Sequence, residues 1–230
     1  MHRREFIAGM ISSLAGTAAV ADAARSAIGA RNVSLSGGSG SDAEAILQNW
    51  INYFSDSQGD TFEDYSIVEL GTNIFQNTNW NTKIHLVLHN LETILKPGCF
   101  SGSRLVSITC PKLKSIIGQQ QFMSSQMLTY VDFPELEYTT SCQALFAHCS
   151  NSLKEVNLGK VTWLANPYQT FFNCTKLENV YMEQMECGTL LGYPYVTSRT
   201  DFAPHQTVFH CVDGNVVWSD DANNWVKIQV

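Results

Sequence analysis

Apolar residues recur along the middle of the chain at offsets 0, 3, 5 and 8 within a unit of 22 to 25 residues. The five copies are Lys83/Leu86/Leu88/Leu91, Leu105/Ile108/Cys110/Leu113, Leu128/Val131/Phe133/Leu136, Leu153/Val156/Leu158/Val161 and Leu177/Val180/Met182/Met185. Nineteen of the twenty positions are apolar, whereas a chain that is 44% hydrophobic would fill about nine of them by chance. Lys83 is the exception. The pattern predicts a structure built from internal repeats.

A column of phenylalanines recurs in step with the first pattern. Its members are Phe75, Phe100, Phe122, Phe146 and Phe171, which are 25, 22, 24 and 25 residues apart. A small side chain follows each phenylalanine after three residues; these are Thr78, Ser103, Ser125, Cys149 and Cys174. Two columns with the same period indicate that equivalent residues of successive units stack on one another.

The size of the unit determines what it can form. Offsets 3 and 5 differ by two, so each copy should contribute one short strand with those side chains inward. One unit buries about five apolar side chains at about 2 kcal/mol each, while ordering its residues costs about 1.5 kcal/mol apiece. A single unit therefore cannot fold alone. The sequence predicts a β-rich solenoid with a parallel strand ladder, in which the phenylalanines fill the opposite wall.

Both ends of the solenoid carry capping signals. Ser41 and Glu44 fit a capping box before an amphipathic helix at 42–54, and Tyr65/Val68/Leu70 resembles a partial repeat. The acidic stretch 56–64 lacks the ligand spacing of a calcium loop and is predicted to be a solvated turn. At the other end, Asp213-Gly214 indicates a tight hairpin, and Val226, Ile228 and Val230 alternate as a last strand.

The N-terminus has the composition of an export signal. His2-Arg3-Arg4 precedes an apolar stretch from Phe6 to Ala21, and Ala-x-Ala steps follow. The segment resembles a twin-arginine signal, although His2 and Ala8 depart from that pattern. A short alanine-rich helix that simply begins the protein is the alternative. Export would place the chain in the periplasm, on the cell surface or outside the cell.

These signals give a predicted domain organisation. It comprises an export signal at 1–23, a flexible linker at 24–40, an N-terminal capping helix and loop at 41–64, a solenoid of five to six repeats at 65–190 and a C-terminal β cap at 191–230. The net charge of −7 argues against nucleic acid as a partner. No long apolar run follows the N-terminal segment, so no membrane span is expected in the mature chain.

The repeats resemble a known family. Leu128-Thr-Tyr-Val-Asp-Phe-Pro-Glu-Leu-Glu, together with Phe146-Ala-His-Cys149 and Phe171-Phe-Asn-Cys174, is similar to the units of BspA-like leucine-rich repeats. The resemblance covers about residues 65 to 190 and weakens at Lys83 and after Met185. It implies an exported or surface bacterial protein linked to adhesion, without catalytic machinery in the repeats. It does not name a ligand, because a repeat consensus encodes the fold.

Residues at offsets 2 and 4 should leave the sheet on the side opposite to offsets 3 and 5. They form two columns: His85, Ser107, Tyr130, Glu155, Asn179 and Val87, Thr109, Asp132, Asn157, Tyr181. Aromatic faces beside hydrogen-bonding groups suit a protein or glycan partner. The predicted binding residues are Tyr130, Asp132, Glu155, Asn157, Asn179 and Tyr181. An ordinary polar sheet surface is the alternative.

Three other groups of residues could carry chemistry. The seven cysteines lack Cys-x-x-Cys pairs and are predicted to be mostly buried core residues, with a Cys142–Cys149 bridge as one possibility. His85 and His89 could chelate a metal, but no third ligand is near in sequence. His210, Cys211 and Asp213 have the residue types of a catalytic triad, but strand neighbours point to opposite faces. No cofactor, metal site or catalytic residue is predicted.

The sequence therefore favours an exported, non-catalytic binding or adhesion module. Two alternatives remain open: an exported enzyme that depends on a metal or another cofactor, and a structural spacer in a surface or phage-derived assembly.

Overall fold

Parallel strands one repeat apart form the framework of the protein in its computed structural model. The structure describes residues 61–65, 67–71, 75–76, 84–197 and 202–229. The export signal, the linker and the helix at 42–54 lie outside these described residues, as do Lys83 and Val230.

The described residues form a nine-stranded sheet and a four-stranded sheet. The strands of the larger sheet are, in order, β1 (Thr61–Asp64), β3 (Ile84–Leu88), β5 (Leu105–Thr109), β7 (Tyr130–Asp132), β9 (Glu155–Asn157), β10 (Asn179–Met182), β11 (Val208–Cys211), β12 (Gly214–Ser219) and β13 (Asn224–Ile228). The smaller sheet contains β2 (Glu69–Leu70), β4 (Thr93–Ile94), β6 (Ser115–Ile116) and β8 (Tyr138–Thr139). Strands up to β11 pair in parallel, and β12 and β13 are antiparallel.

The predicted inward positions form one aligned row. Leu86 pairs with Ile108, Ile108 with Val131, Val131 with Val156, and Val156 with Val180. Each of these side chains is at most 1% exposed. The repeat register and the solenoid are therefore confirmed, because one residue of slippage in any copy would have placed its apolar pair on the solvent side.

Ile84 occupies the first apolar position in the irregular first copy of the repeat. It pairs with Leu105, but the next pair is His85 with Ser107, so the register shifts between Ile84 and His85. Ile84 is fully buried. The apolar position that the spacing assigned to Lys83 is thus filled by the next residue, and a β-bulge absorbs the difference in spacing.

The phenylalanine column is a continuous stack of rings. Successive ring centroids, from Phe75 through Phe100, Phe122 and Phe146 to Phe171, are 4.8, 5.1, 5.4 and 5.6 Å apart, and the rings are nearly parallel. The backbone around the rings forms its own ladder, in which the amide of Phe122 donates to the carbonyl of Leu145 at 2.9 Å. The predicted opposite wall is therefore confirmed, and it is held by hydrogen bonds as well as by packing.

Left-handed residues bracket the phenylalanines. The residue two positions before each of four phenylalanines has φ between +50° and +70°; these residues are Gly98, Gln120, Ala144 and Gln169. The residue two positions after each of the same phenylalanines also has a positive φ, near +60°; these residues are Gly102, Ser124, His148 and Asn173. Because the left-handed region reverses the chain sharply, these two positions produce the corners of each coil.

The first coil differs from the sequence prediction. Residues 61–64, which the sequence assigned to a solvated turn, form β1 and pair with β3, so that Asp64 aligns with Leu88. Of the predicted partial repeat, Leu70 is fully buried, whereas Tyr65 and Val68 are 45% and 44% exposed and do not face inward. Asp64 occupies an inward position as a buried carboxylate and accepts a 2.8 Å hydrogen bond from the Ile67 amide. This hydrogen bond gives the buried Asp64 carboxyl group a partner, at a position where the other coils have an apolar side chain.

The C-terminal cap begins as a further rung of the larger sheet. After two short helices, α1 (Cys187–Leu191) and α2 (Pro194–Thr197), strand β11 pairs in parallel with β10. The predicted hairpin and last strand are present. The inward residue of β13 is Trp225, at 2% exposed, whereas Ile228 is 42% exposed. The bulky indole completes the end of the ring stack by packing on Phe202 and Phe209.

Candidate functional site

The face of the larger sheet opposite the buried row carries the predicted binding residues. Tyr130, Glu155 and Asn179 align across three strands, and Asp132, Asn157 and Tyr181 align beside them. The repeat therefore brings all six predicted residues into two adjacent columns. A rigid sheet holds such side chains at fixed separations, which favours recognition of an extended partner.

Two of the six predicted binding residues are not solvent-facing. Asn157 is 1% exposed: its Nδ2 donates to Asp132 Oδ1 at 2.5 Å, and its Oδ1 accepts from the Gly159 amide at 3.0 Å. Gly159 has φ +53° and its α-carbon faces the Pro134 carbonyl, so Asn157 supports a turn with no space for a side chain. Tyr130 is 9% exposed. Replacing Tyr130 would therefore also remove buried area, so a loss of binding in such a variant would not by itself identify a contact residue.

The other four predicted residues are partly exposed, and the structure adds a fifth. The His210 ring stacks on Tyr181 with centroids 4.5 Å apart, and its Nε2 lies 2.9 Å from Asn179 Oδ1. Burial lowers the pKa of His210, while a hydrogen bond with Asn215 raises it. The resulting cluster of Glu155, Asn179, Tyr181 and His210 is called the sheet-face cluster. It presents a carboxylate, an amide and two aromatic rings on adjacent strands.

The sequence reasoning missed His210 because the spacing changes before β11. Asn179 pairs with Val208, so this rung is 29 residues from the one before it, whereas the other copies are separated by 22 to 25. Two short helices occupy the added length. The signal that could have found the rung is Phe209, an apolar residue that aligns with Val180 and is fully buried.

His210, Cys211 and Asp213 do not converge as a catalytic triad would. His210 points to the sheet face, toward Asn179, whereas the Cys211 thiol is beside Cys187. The Asp213 carboxylate accepts from the Cys187 amide at 2.7 Å and from Lys227 Nζ at 2.5 Å. The hydrogen bond from the Cys187 amide, followed in importance by that from Lys227, holds the pKa of Asp213 well below its usual range. Asp213 therefore anchors the hairpin to α1.

The two candidate chelating histidines have separate partners. His85 Nδ1 lies 2.7 Å from Ser107 Oγ, while His89 Nε2 lies 2.9 Å from Glu63 Oε2 and its ring stacks on Tyr65. Within the described part of the chain, no group of three or more His, Cys, Asp or Glu side chains could hold a metal ion. In the same residues, no helix has the length and hydropathy needed to cross a bilayer.

The cysteines are core residues, as the sequence predicts. Six are buried and Cys211 is partly exposed. Cys142 Sγ lies 3.0 Å from Thr139 Oγ1, and the Cys149 thiol donates to the Phe122 carbonyl at 3.0 Å. The proposed Cys142–Cys149 bridge is therefore not formed, because each thiol has a different partner.

Aligned short parallel strands, a buried aliphatic row and a ring stack define the protein as a leucine-rich-repeat solenoid. Residues 93–188 match the model of the BspA type leucine rich repeat region in six copies. These residues are therefore leucine-rich repeats of the BspA type. Comparison with curated proteins and with solved structures gave no match to the chain.

Proposed function

We propose that the protein is an exported, non-catalytic binding module that recognises a protein or glycan through the exposed face of its larger sheet. The observation that carries the proposal is the sheet-face cluster, in which His210 joins Tyr181 by ring stacking and Asn179 by a hydrogen bond. This contact orders three polar or aromatic side chains on one surface before any partner arrives. Preorganised side chains lose less conformational entropy on binding.

The chemistry of the cluster supports this class of partner. Tyrosine and histidine rings supply flat apolar faces, while Asn179 and Glu155 supply hydrogen-bonding groups at their edges. Protein interfaces are enriched in tyrosine, and the C–H faces of sugars pack on aromatic rings in the same way that other apolar groups do. The net charge of −7 and the acidic Asp132 and Glu155 on this face disfavour a polyanionic partner.

The family assignment supports the same proposal. The resemblance to BspA-like repeats implies surface proteins linked to adhesion, and the N-terminal sequence carries an export pattern. Export by a twin-arginine-like route would deliver the solenoid to the cell surface, the periplasm or the exterior. A fusion of residues 1–40 to a reporter enzyme that is active only after export tests this part separately, and a reporter retained in the cytoplasm contradicts it.

An array of immobilised glycans and purified extracellular proteins tests the binding proposal. The wild-type chain should bind a restricted set of array members, and Tyr181→Ala should reduce that binding by at least tenfold because it removes a central ring. Tyr138→Ala is the matched control, since Tyr138 is 53% exposed in the smaller sheet, away from the cluster. Its binding should equal that of the wild type.

Two outcomes contradict the proposal. An array that stays blank at high protein concentration would oppose any binding role for the solenoid. Equal losses for Tyr181→Ala and Tyr138→Ala, with both variants folded by circular dichroism, would move the binding surface away from the sheet-face cluster.

A further inference from the structure

Cys187 and Cys211 meet where the repeat region joins the C-terminal hairpin. Cys187 begins α1 and Cys211 ends β11, directly opposite Gly214. A Cβ placed on Gly214 would lie 3.7 Å from Cys187 Sγ. Side chains of directly opposed residues lie on the same side of a sheet, so the sulfur of Cys187 also faces Cys211. Each thiol is among the groups that shift the pKa of the other, which agrees with their being neighbours.

Neighbouring bonds hold the two cysteines in this arrangement. The Cys187 amide donates to Asp213 Oδ1 at 2.7 Å, and the Val212 amide donates to the Met185 carbonyl at 2.9 Å. The residues next to each cysteine are thus tied across the same junction. Little backbone movement is needed to bring the two sulfur atoms into bonding distance.

We propose that Cys187 and Cys211 form a disulfide bond that locks the C-terminal cap onto the last coil of the solenoid. The proposal is independent of what the sheet face binds. It names one covalent pair among seven cysteines, which the sequence could not select because their spacing shows no pairing pattern.

The other cysteines are engaged differently. Cys149 and Cys174 lie on successive coils, but both are fully buried, and each thiol donates to a backbone carbonyl at 3.0 Å. Cys99 donates to the Lys96 carbonyl at 3.2 Å. By contrast, Cys211 is partly exposed and lies next to Val212, which is 55% exposed, so an oxidant can reach this junction from solvent.

The reduced pair is stable as two neutral thiols. Burial raises the pKa of Cys211, and the neighbouring Cys187 and Asp213 raise it further. Burial also raises the pKa of Cys187. Two protonated thiols carry no charge and do not repel each other, so they can stay side by side until an external disulfide reacts with one of them.

The reaction is a thiol–disulfide exchange with a small-molecule or protein disulfide as oxidant. The Cys211 thiol loses its proton and attacks the oxidant, which releases one thiol and leaves a mixed disulfide on Cys211. The Cys187 thiol then loses its proton and displaces the second thiol. In total, one S–S bond forms in the protein, one breaks in the oxidant, and both electrons and both protons pass to the two released thiols.

The bond would close a loop from residue 187 to residue 211, which contains α1, α2 and β11. Cross-linking this loop restricts the unfolded chain and keeps the hairpin seated on the ring stack. Export to an oxidising compartment, which the N-terminal sequence predicts, would favour the linked form.

Peptide mass mapping of the full chain tests the proposal. The protein is purified under reduction, incubated with oxidised glutathione, alkylated without reduction and digested. The expected product is one peptide pair linked through Cys187 and Cys211. A glutathione adduct on Cys211 without the linked pair, or a linked pair of other cysteines, would overturn the proposal.

Thermal unfolding provides a second readout. Oxidation should raise the Tm of the wild type by roughly 5–10 °C. Cys211→Ser and Cys187→Ser should abolish this shift, whereas Cys99→Ser, which changes a cysteine engaged elsewhere, should keep it. An equal Tm for the oxidised and reduced wild type, or a shift that survives in Cys211→Ser, would contradict the lock.

Discussion

The thiol of Cys149 donates a hydrogen bond to the carbonyl oxygen of Phe122 in the preceding coil, at 3.0 Å. Ser125 Oγ makes the same bond to Phe100 at 2.8 Å, and Cys174 Sγ makes it to Phe146 at 3.0 Å. At these three positions the small residue that follows the phenylalanine by three is therefore a hydrogen-bond donor that ties one coil to the previous one. The sequence alone identifies these positions only as small.

Exchange at Ser125 tests this donor role. Ser125→Ala should lower the free energy of unfolding by about 1 kcal/mol because the bond to the Phe100 carbonyl is lost. Ser125→Cys should retain most of the stability, since Cys149 and Cys174 make the equivalent bond in later coils. Urea denaturation measures both. Equal losses for alanine and cysteine would mean that the position is selected for size alone.

The ring stack should dominate the stability of the solenoid. Phe122→Ala should cost about 3–5 kcal/mol because it leaves a cavity between Phe100 and Phe146. Phe172→Ala is the control: Phe172 follows the buried Phe171 but is itself only partly buried, so the loss should be much smaller. Comparable losses in chemical denaturation would show that the stack contributes no more than an ordinary apolar residue.

The left-handed corner at Ser124 predicts a stabilising substitution. Ser124 has φ +63°, and the equivalent residue in the preceding coil, Gly102, has φ +64°. Ser124→Gly should raise the free energy of unfolding by up to about 1 kcal/mol because glycine adopts this conformation without strain.

Ser124→Val provides the opposite test at the same corner. It should destabilise the protein because a β-branched residue resists positive φ. Thermal unfolding of both variants checks the pair, and a glycine variant no more stable than the valine variant would contradict the corner assignment.

His210 should make stability depend on pH. Its pKa is lowered by burial in the folded state, so the unfolded chain binds a proton more readily. The contribution of the neutral side chain is present above the ordinary histidine value of about 6.5 and is lost as the pH falls below it.

Urea denaturation at about pH 7.5 and pH 5 measures this dependence for the wild type and for His210→Gln. The wild type should lose more stability than the variant over that interval, because the other titrating groups are shared by both chains. Parallel losses in the two proteins would assign the pH dependence to groups other than His210.

The repeat, its register and the two buried walls can be inferred without coordinates. Apolar side chains such as Val131 and Phe122 recur at intervals that only a stack of coils can bury, and exclusion of water from those side chains requires no knowledge of distant contacts. The same periodicity placed Asn179 and Tyr181 side by side.

Features that depart from the repeat pattern became visible only in the folded chain. The bulge at Ile84 and the added rung that brings His210 to Tyr181 arise where the spacing changes. The strand at 61–64 keeps the spacing, but Asp64 stands where the other coils have an apolar residue. The burial of Asn157 depends on a local hydrogen bond, and the meeting of Cys187 with Cys211 depends on how a hairpin folds onto α1. A period constrains equivalent positions of successive coils, whereas contacts between non-equivalent positions are determined only when the chain has packed.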